Sequence, residues 1–248
     1  MSLFSRDVEI CLSGHDAEAV RQAVRAAREG GAARIELCRA LDRGGLTPTP
    51  TQVEAAREAW GGGRGLLVMV RPHDHDFCYT SEEARAMAAI VEQATSWGAD
   101  GVVFGALQAG GKVDEDATRR MTEAAQERGL STTFHRAFDA AADPAQALET
   151  VIKLGLDRVL TCGVPWGQSG TAWDGLPRLR ETVTQAAGRI EIVIGGGLTP
   201  PLLSSLQDAL PTDAVQLSFH AHSGAQQDGV TTASAVRALV KAAQKHGS

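Results

Sequence analysis

Hydrophobic and polar positions along this chain alternate between two periods. Short runs rich in β-branched and other apolar residues recur, each followed by a longer Ala-, Glu- and Arg-rich stretch whose apolar positions return every three to four residues. The first pattern is that of a strand and the second that of an amphipathic helix. Their unbroken alternation predicts βα units around a parallel sheet. Strands are expected at 8–12, 34–38, 66–70, 101–104, 131–135, 158–161, 190–194 and 214–218. Helices are expected at 17–29, 50–60, 81–97, 115–128, 144–154, 176–187, 200–209 and 233–245.

Strand starts are spaced by about 24 to 35 residues, the size of a βαβ repeat. Gly30, Gly31, Gly98, Gly129 and Gly155 each follow a predicted helix and precede a strand, where a left-handed residue closes the helix. An open doubly wound sheet would have the same local pattern. Eight strands in 248 residues favour a closed α/β architecture instead, a single (β/α)8 TIM barrel over 1–248, since such barrels take about 250 residues.

Composition narrows the partners. At 43% hydrophobic the chain can bury a sizeable core, and its net charge of −6 with scattered basic residues leaves no positive stripe for nucleic acid. No run approaches the roughly 18 apolar residues of a membrane span, and Met1 to Asp7 lack the apolar core of a signal peptide. A cytoplasmic protein with no nucleic-acid or membrane partner is expected. Cys11, Cys38, Cys78 and Cys162 have no zinc-knuckle or CxxC spacing, so free thiols are expected.

In TIM barrels the reacting groups project from the C-terminal ends of the strands, which gives a positional filter. Glu9 and Cys11 pass it on strand 1, Glu36 and Cys38 on strand 2, and Arg71 after strand 3. His135, Arg136 and Asp139 pass it after strand 5, Thr161 and Cys162 at strand 6, and His220 after strand 8.

These residues sit in strings that carry a resemblance. IELC at 35–38, GGLTP at 44–48, RP and DF within 71–77, VVFGAL at 102–107, TFHRAFD at 133–139, VLTCG at 159–163 and GGG at 195–197 resemble the CutC family in content, order and strand position. The resemblance covers nearly the whole chain. It implies a TIM barrel, a cytoplasmic location, a homo-oligomer (dimer or tetramer), and a role in copper homeostasis with binding of Cu(I). Cys11 and Cys38 match the family's EIC and ELC cysteines. Three segments depart from the family pattern: RPHDHDF after strand 3, the stretch between Cys11 and Cys38, which is several residues longer than the family's usual spacing, and FHAHSG after strand 8.

The chemistry can also be read residue by residue. Strand side chains alternate faces, so Glu9 and Cys11 share one face, as do Glu36 and Cys38. Soft thiolates select Cu(I), which makes Cys11 and Cys38 a candidate metal site. The plainer reading is two small buried apolar residues, favoured because no third soft ligand is evident. Buried carboxylates need cations or donors, and Arg71 and Arg136 are the natural partners of Glu9 and Glu36.

In the functional reading this cluster binds a small anionic or polyhydroxylated molecule at the barrel mouth. Glu9, Glu36, His135 and Asp139 are then the candidate acid–base groups, and Arg71, Arg136, Thr161 and His220 the binding groups. In the structural reading it is an ion-pair network filling the barrel, and polar density at the catalytic face favours function.

Gly195, Gly196 and Gly197 stand where TIM barrels often build a phosphate site, with Ser223 and Gly224 as further partners. They are equally a tight exit before a helix capped by Thr199 with Pro200 at its first position. No nucleotide cofactor is predicted. His73 with His75, and His220 with His222, are i, i+2 pairs that would share a face if extended, a weak signal for a divalent metal. Two functions follow: a copper-homeostasis protein binding Cu(I), or an enzyme acting on a small phosphorylated or carboxylated metabolite.

Overall fold

A computed structural model describes residues 6–211 and 216–244. Eight parallel strands close into a barrel in chain order: β1 (Val8–Leu12), β2 (Arg34–Leu37), β3 (Leu66–Met69), β4 (Gly101–Phe104), β5 (Ser131–Phe134), β6 (Arg158–Thr161), β7 (Glu191–Ile194) and β8 (Leu217–Ala221). β8 pairs back onto β1, with Glu9 opposite His220. Eight helices cover the barrel: α1 (Ala17–Glu29), α2 (Pro50–Trp60), α3 (Ser81–Ala94), α4 (Glu115–Glu127), α5 (Pro144–Lys153), α6 (Leu176–Ala186), α7 (Pro200–Ala209) and α8 (Ala233–Gln244). The fold is the expected (β/α)8 TIM barrel.

Helix starts follow from short polar caps. Thr49 and Thr80 each form a reciprocal capping box, with Gln52 and Glu83 respectively. Thr199 accepts from the Leu202 N–H with Pro200 in the first turn, as the sequence leads one to expect. Among the expected helix-closing glycines, Gly31, Gly98, Gly129 and Gly155 are left-handed, whereas Gly30 keeps a helical φ of −74°.

Two elements differ from expectation by more than one residue. α3 ends at Ala94 rather than 97, because residues 95–97 turn back towards a left-handed Gly98. β8 begins at Leu217 and runs on to Ala221, which places His220 on the strand rather than after it. The expected start of strand 8 at Ala214 and the end of the last helix at Lys245 lie outside the described residues.

Strand parity divides the core. Outward residues such as Ile10, Leu37, Val68, Phe104, Phe134 and Phe219 join the helices in the main apolar core. Inside the barrel only a small apolar cluster forms, from Cys11, Cys38, Leu67, Met69 and Val103. Apart from residues such as Leu160, the rest of the interior is mostly polar. No helix among the described residues is long and apolar enough to cross a membrane.

Candidate functional site

The polar interior has a floor and a mouth. On the floor, Arg34 Nε donates to Glu9 Oε2 at 3.1 Å, while its Nη2 donates to Glu191 Oε1 at 2.7 Å and Ser218 Oγ at 2.8 Å. Beside it Arg158 donates to the hydroxyls of Thr133 and Ser131 at 2.9 and 2.7 Å. This corrects the expected pairing of Glu9 with Arg71 or Arg136. The cation comes from the neighbouring strand: β1–β2 register sets Arg34 directly opposite Glu9, and even parity on β2 turns Arg34, Glu36 and Cys38 to the same interior.

Above the floor, His220 stands between two carboxylates. Its Nδ1 lies 2.8 Å from Glu9 Oε1 and its Nε2 3.5 Å from Glu36 Oε2. Burial alone would push the imidazole down, but the Glu36 charge, a Cys11 hydrogen bond and the Glu9 hydrogen bond hold it well above its ordinary value. Burial works against the Glu9 carboxylate too, yet the His220 hydrogen bond and Arg34 charge bring it down to about 2. Glu36 has no such guanidinium and is raised, chiefly by burial.

Next to this pair the Cys11 and Cys38 sulfurs are 4.0 Å apart. Their mutual hydrogen bond and burial raise the Cys11 thiol well above its ordinary value. The same hydrogen bond favours the Cys38 thiolate, but burial and the Glu36 charge prevail and push it up to about 11. Donor atoms of Cys11, Glu36 and His220 all lie within 4.8 Å of one another.

Across the barrel, Arg71 and His135 leave β3 and β5. Arg71 is 1% exposed, and no carboxylate lies within ion-pair distance of it among the described residues. Its terminal nitrogens make long hydrogen bonds to the carbonyls of Arg43 (3.3 Å), Gly45 (3.3 Å) and His75 (3.5 Å), and its Nε has no partner. Its guanidinium carbon sits 5.0 Å from the Phe77 ring centre. His135 packs against the same ring at 5.1 Å. Burial and the Arg71 charge lower His135 to about 3.

The exit from β5 is a clamp. Asp139 Oδ1 accepts from Thr161 Oγ1 at 2.6 Å, and Oδ2 accepts from Arg136 Nε at 2.8 Å and the Cys162 N–H at 3.0 Å. Arg136 then lies over the Trp166 ring at 5.2 Å, so the clamp holds the rim.

One cavity of about 260 Å³ opens between these groups. Cys11, Cys38, Glu36, Arg71, His135, Arg136, His220 and the three glycines Gly195, Gly196 and Gly197 all line it. The barrel does not bring Glu9, Asp139 or Thr161 to its wall: Glu9 lies beneath His220, and the clamp takes up both oxygens of Asp139 and the Thr161 hydroxyl. Thr161 shares the outward parity of Val159 on β6, whereas Leu160 faces the cavity.

His222 reaches the wall with Ser223, its Nδ1 3.0 Å from the Cys11 carbonyl. His73 and His75 instead stack on each other at 5.0 Å away from the cavity, and His73 faces Glu83. The sequence reading missed Arg34 beneath the cavity and the aromatic wall of Phe77 and Trp166. A larger cleft of about 480 Å³ lies beside α4 and α5, but none of its lining side chains holds a buried polar atom without a partner.

Comparison with known proteins agrees with the fold. The model of the CutC family matches residues 7–221. The family protein CutC of Bacteroides thetaiotaomicron is 41% identical over 203 residues, covering 82% of this chain and 78% of that one. The copper homeostasis protein cutC homolog of Homo sapiens is 41% identical over 192 residues, covering 77% of this chain and 65% of that one. A crystal structure of CutC from Streptococcus agalactiae superposes with a TM-score of 0.71 at 26% identity, covering 86% of this chain and 97% of that one. The chain belongs to the CutC family, which ties it at family level to copper homeostasis.

Proposed function

We propose that the barrel mouth binds a small anionic metabolite and transfers a proton on it. One observation carries the reading: Glu36 Oε1, Arg71 Nε and His135 Nε2 are all buried without a hydrogen-bond partner, and all three side chains line the same cavity. Unpaired buried polar atoms are costly, and three of them around one space are accounted for by a polar ligand that pairs them. The cavity is also two-sided. Arg71 and His135 supply positive charge and a donor on the β3–β5 side, and Glu36 with His220 supplies proton-transfer groups on the β2–β8 side.

Arg71 anchors the anion, because its carbonyl partners are long and no carboxylate neutralises it. Gly195 to Gly197 and Ser223 form the wall where a phosphate would sit. The test is a thermal-shift panel of small carboxylates and phosphorylated compounds on the wild type and on Arg71→Met. A ligand that raises the melting temperature of the wild type and not of a folded Arg71→Met supports the reading. A panel with no stabilising member overturns it.

A second reading is favoured by a separate observation, the 4.0 Å separation of two buried sulfurs at the same mouth. Cys11 and Cys38 are soft donors that fit Cu(I), and Glu36 and His220 lie close enough to Cys11 to complete the set. Bound there, copper would be cargo for homeostasis, in a cytoplasm that keeps all four free thiols reduced. Competition against a coloured Cu(I) chelator tests it. The Cys11→Ser/Cys38→Ser double variant should lose stoichiometric binding, and unchanged binding sinks the idea.

A further inference from the structure

We infer that the anion bound at the mouth carries a carbonyl group beside its anionic group, as a 2-oxo acid does, and that the Nε2–H of His135 is the donor to that carbonyl oxygen. The inference rests on the anion-site reading above and adds the substrate class and a role for His135.

Backbone geometry fixes the tautomer. His135 caps the short 3-10 turn Arg136–Ala140, and its Nδ1 accepts from the Ala137 N–H at 3.1 Å. A neutral imidazole that accepts at Nδ1 carries its proton on Nε2. That atom is buried and has no partner. Ala137 is not part of the cavity wall, whereas His135 is, so the edge held by the backbone lies behind the wall and the unpaired edge remains for a ligand.

Anchor and donor share one wall. Arg71 and His135 both pack on the Phe77 ring, 5.0 and 5.1 Å from its centre, both line the same cavity, and the Arg71 charge is felt at the imidazole, so one small anion can meet both. Burial and the Arg71 charge keep the ring neutral at physiological pH. A neutral N–H suits a carbonyl that gains negative charge as it reacts: the donor stays put and no proton needs to be lost first. A cavity of about 260 Å³ suits a molecule of a few carbons.

The reaction this arrangement supports is proton removal from the carbon next to the carbonyl. Glu36 Oε1, unpaired on the opposite wall, takes the proton. The C–H electron pair becomes the new C=C bond, the carbonyl π pair moves to oxygen, and the enolate oxygen accepts from His135 Nε2–H. Return of the proton to the same carbon restores the carbonyl and completes a hydrogen exchange without any redox partner.

Two measurements test this. Nitrogen-15 NMR of the histidines in the wild-type protein should find His135 neutral and protonated at Nε2 from pH 5 to pH 8. An Nδ1-protonated ring or an imidazolium overturns the inference with no variant needed. Ligand titration then uses acetate, propionate and pyruvate as probes. Pyruvate should bind at least about tenfold more tightly than propionate, which has no acceptor on that carbon, a single hydrogen bond's worth of discrimination. His135→Asn should erase that preference and leave acetate unchanged. Equal affinity for pyruvate and propionate overturns the carbonyl inference while the anion site stands. If none of the three binds, or Arg71→Met binds them as the wild type does, the anion-site reading fails first.

Discussion

The imidazole of His220 holds the carboxylate of Glu9 at 2.8 Å, on the far side of that carboxylate from Arg34. Glu9 is thus the junction between the floor network and the mouth. Glu9→Gln keeps the shape and removes the charge, leaving His220 to face Glu36 alone and Arg34 with Glu191. Breaking one member of a buried ion-paired group typically costs about 3–5 kcal/mol. Urea unfolding should register a loss of this order, and NMR titration should find His220 shifted down from its wild-type value. An unchanged His220 titration would mean that Glu36, not Glu9, holds the charge in place.

The clamp at the rim makes a different demand. Asp139 has no exposed side-chain surface and accepts three hydrogen bonds, one of them from Arg136, which in turn covers Trp166. Asp139→Asn keeps the size but turns one acceptor into a donor that faces the Cys162 N–H or Arg136. About 3 kcal/mol of stability should be lost, as for other broken buried pairs. Trp166 fluorescence should shift with it, and Trp166→Phe should abolish the shift. A fluorescence spectrum indifferent to Asp139→Asn would separate the clamp from the rim.

Periodicity made the barrel legible. Seven of the eight strands were found within a residue of their ends, since each buried strand is a short apolar run bounded by turn residues. The site was legible only as a list of residues, because partners depend on register and register is set by closure of the whole sheet. Arg34 shares the parity of Glu36 and Cys38, but it stands at the N-terminal end of β2, which a filter for C-terminal strand ends passes over. Thr161 passed the positional filter and failed on parity, which its neighbour Leu160 could have revealed. The third donor near Cys11 was hidden for the same reason: His220 is 209 residues away in sequence, from 220 and 11, and reaches it through β8–β1 pairing.

Gly196 gives a test of how tightly the β7 exit is built. Its φ is +108°, and a β-carbon there would run into the Cys162 sulfur. Gly196→Ala should therefore cost about 1–3 kcal/mol from backbone strain, with the clash on top. Adding Cys162→Ala should recover only the clash component, because the φ penalty stays. Full recovery in the double variant, read from melting temperatures, would show that φ there is relaxed.

Copper binding, if Cys11 and Cys38 carry it, should be steeply pH-dependent. Both thiols are held above their ordinary value, Cys38 at about 11, so each is protonated near neutrality. Two protons must leave for each Cu(I) bound by two thiolates. The apparent affinity should then rise by about 100-fold per pH unit between pH 6 and 8, two powers of ten for two protons. Competition titrations at three pH values measure the slope. A slope of one proton would mean that only one cysteine binds as thiolate.

Acid should destabilise the protein in two separable stages. The His135 imidazole titrates at about 3 in the folded protein against an ordinary value of 6.5. Below pH 6.5 the unfolded chain takes up a proton that the folded protein refuses until about pH 3, so stability falls with falling pH across that window. Glu9, lowered from 4.5 to about 2, adds a second loss: its contribution is complete above pH 4.5 and disappears as pH falls towards 2. Glu36 works the other way, since its raised value lets the folded protein take up a proton first, and His220 loses its contribution only as pH rises through its own raised value. Unfolding midpoints should thus fall from pH 6.5 downward, with His135 contributing a slope of up to about 1.4 kcal/mol per pH unit. His135→Asn should flatten the upper stage and leave the lower one, below pH 4.5, in place. Identical profiles for the two proteins would mean that the ring is already protonated in the folded state, and the neutral donor at the mouth would have to be abandoned.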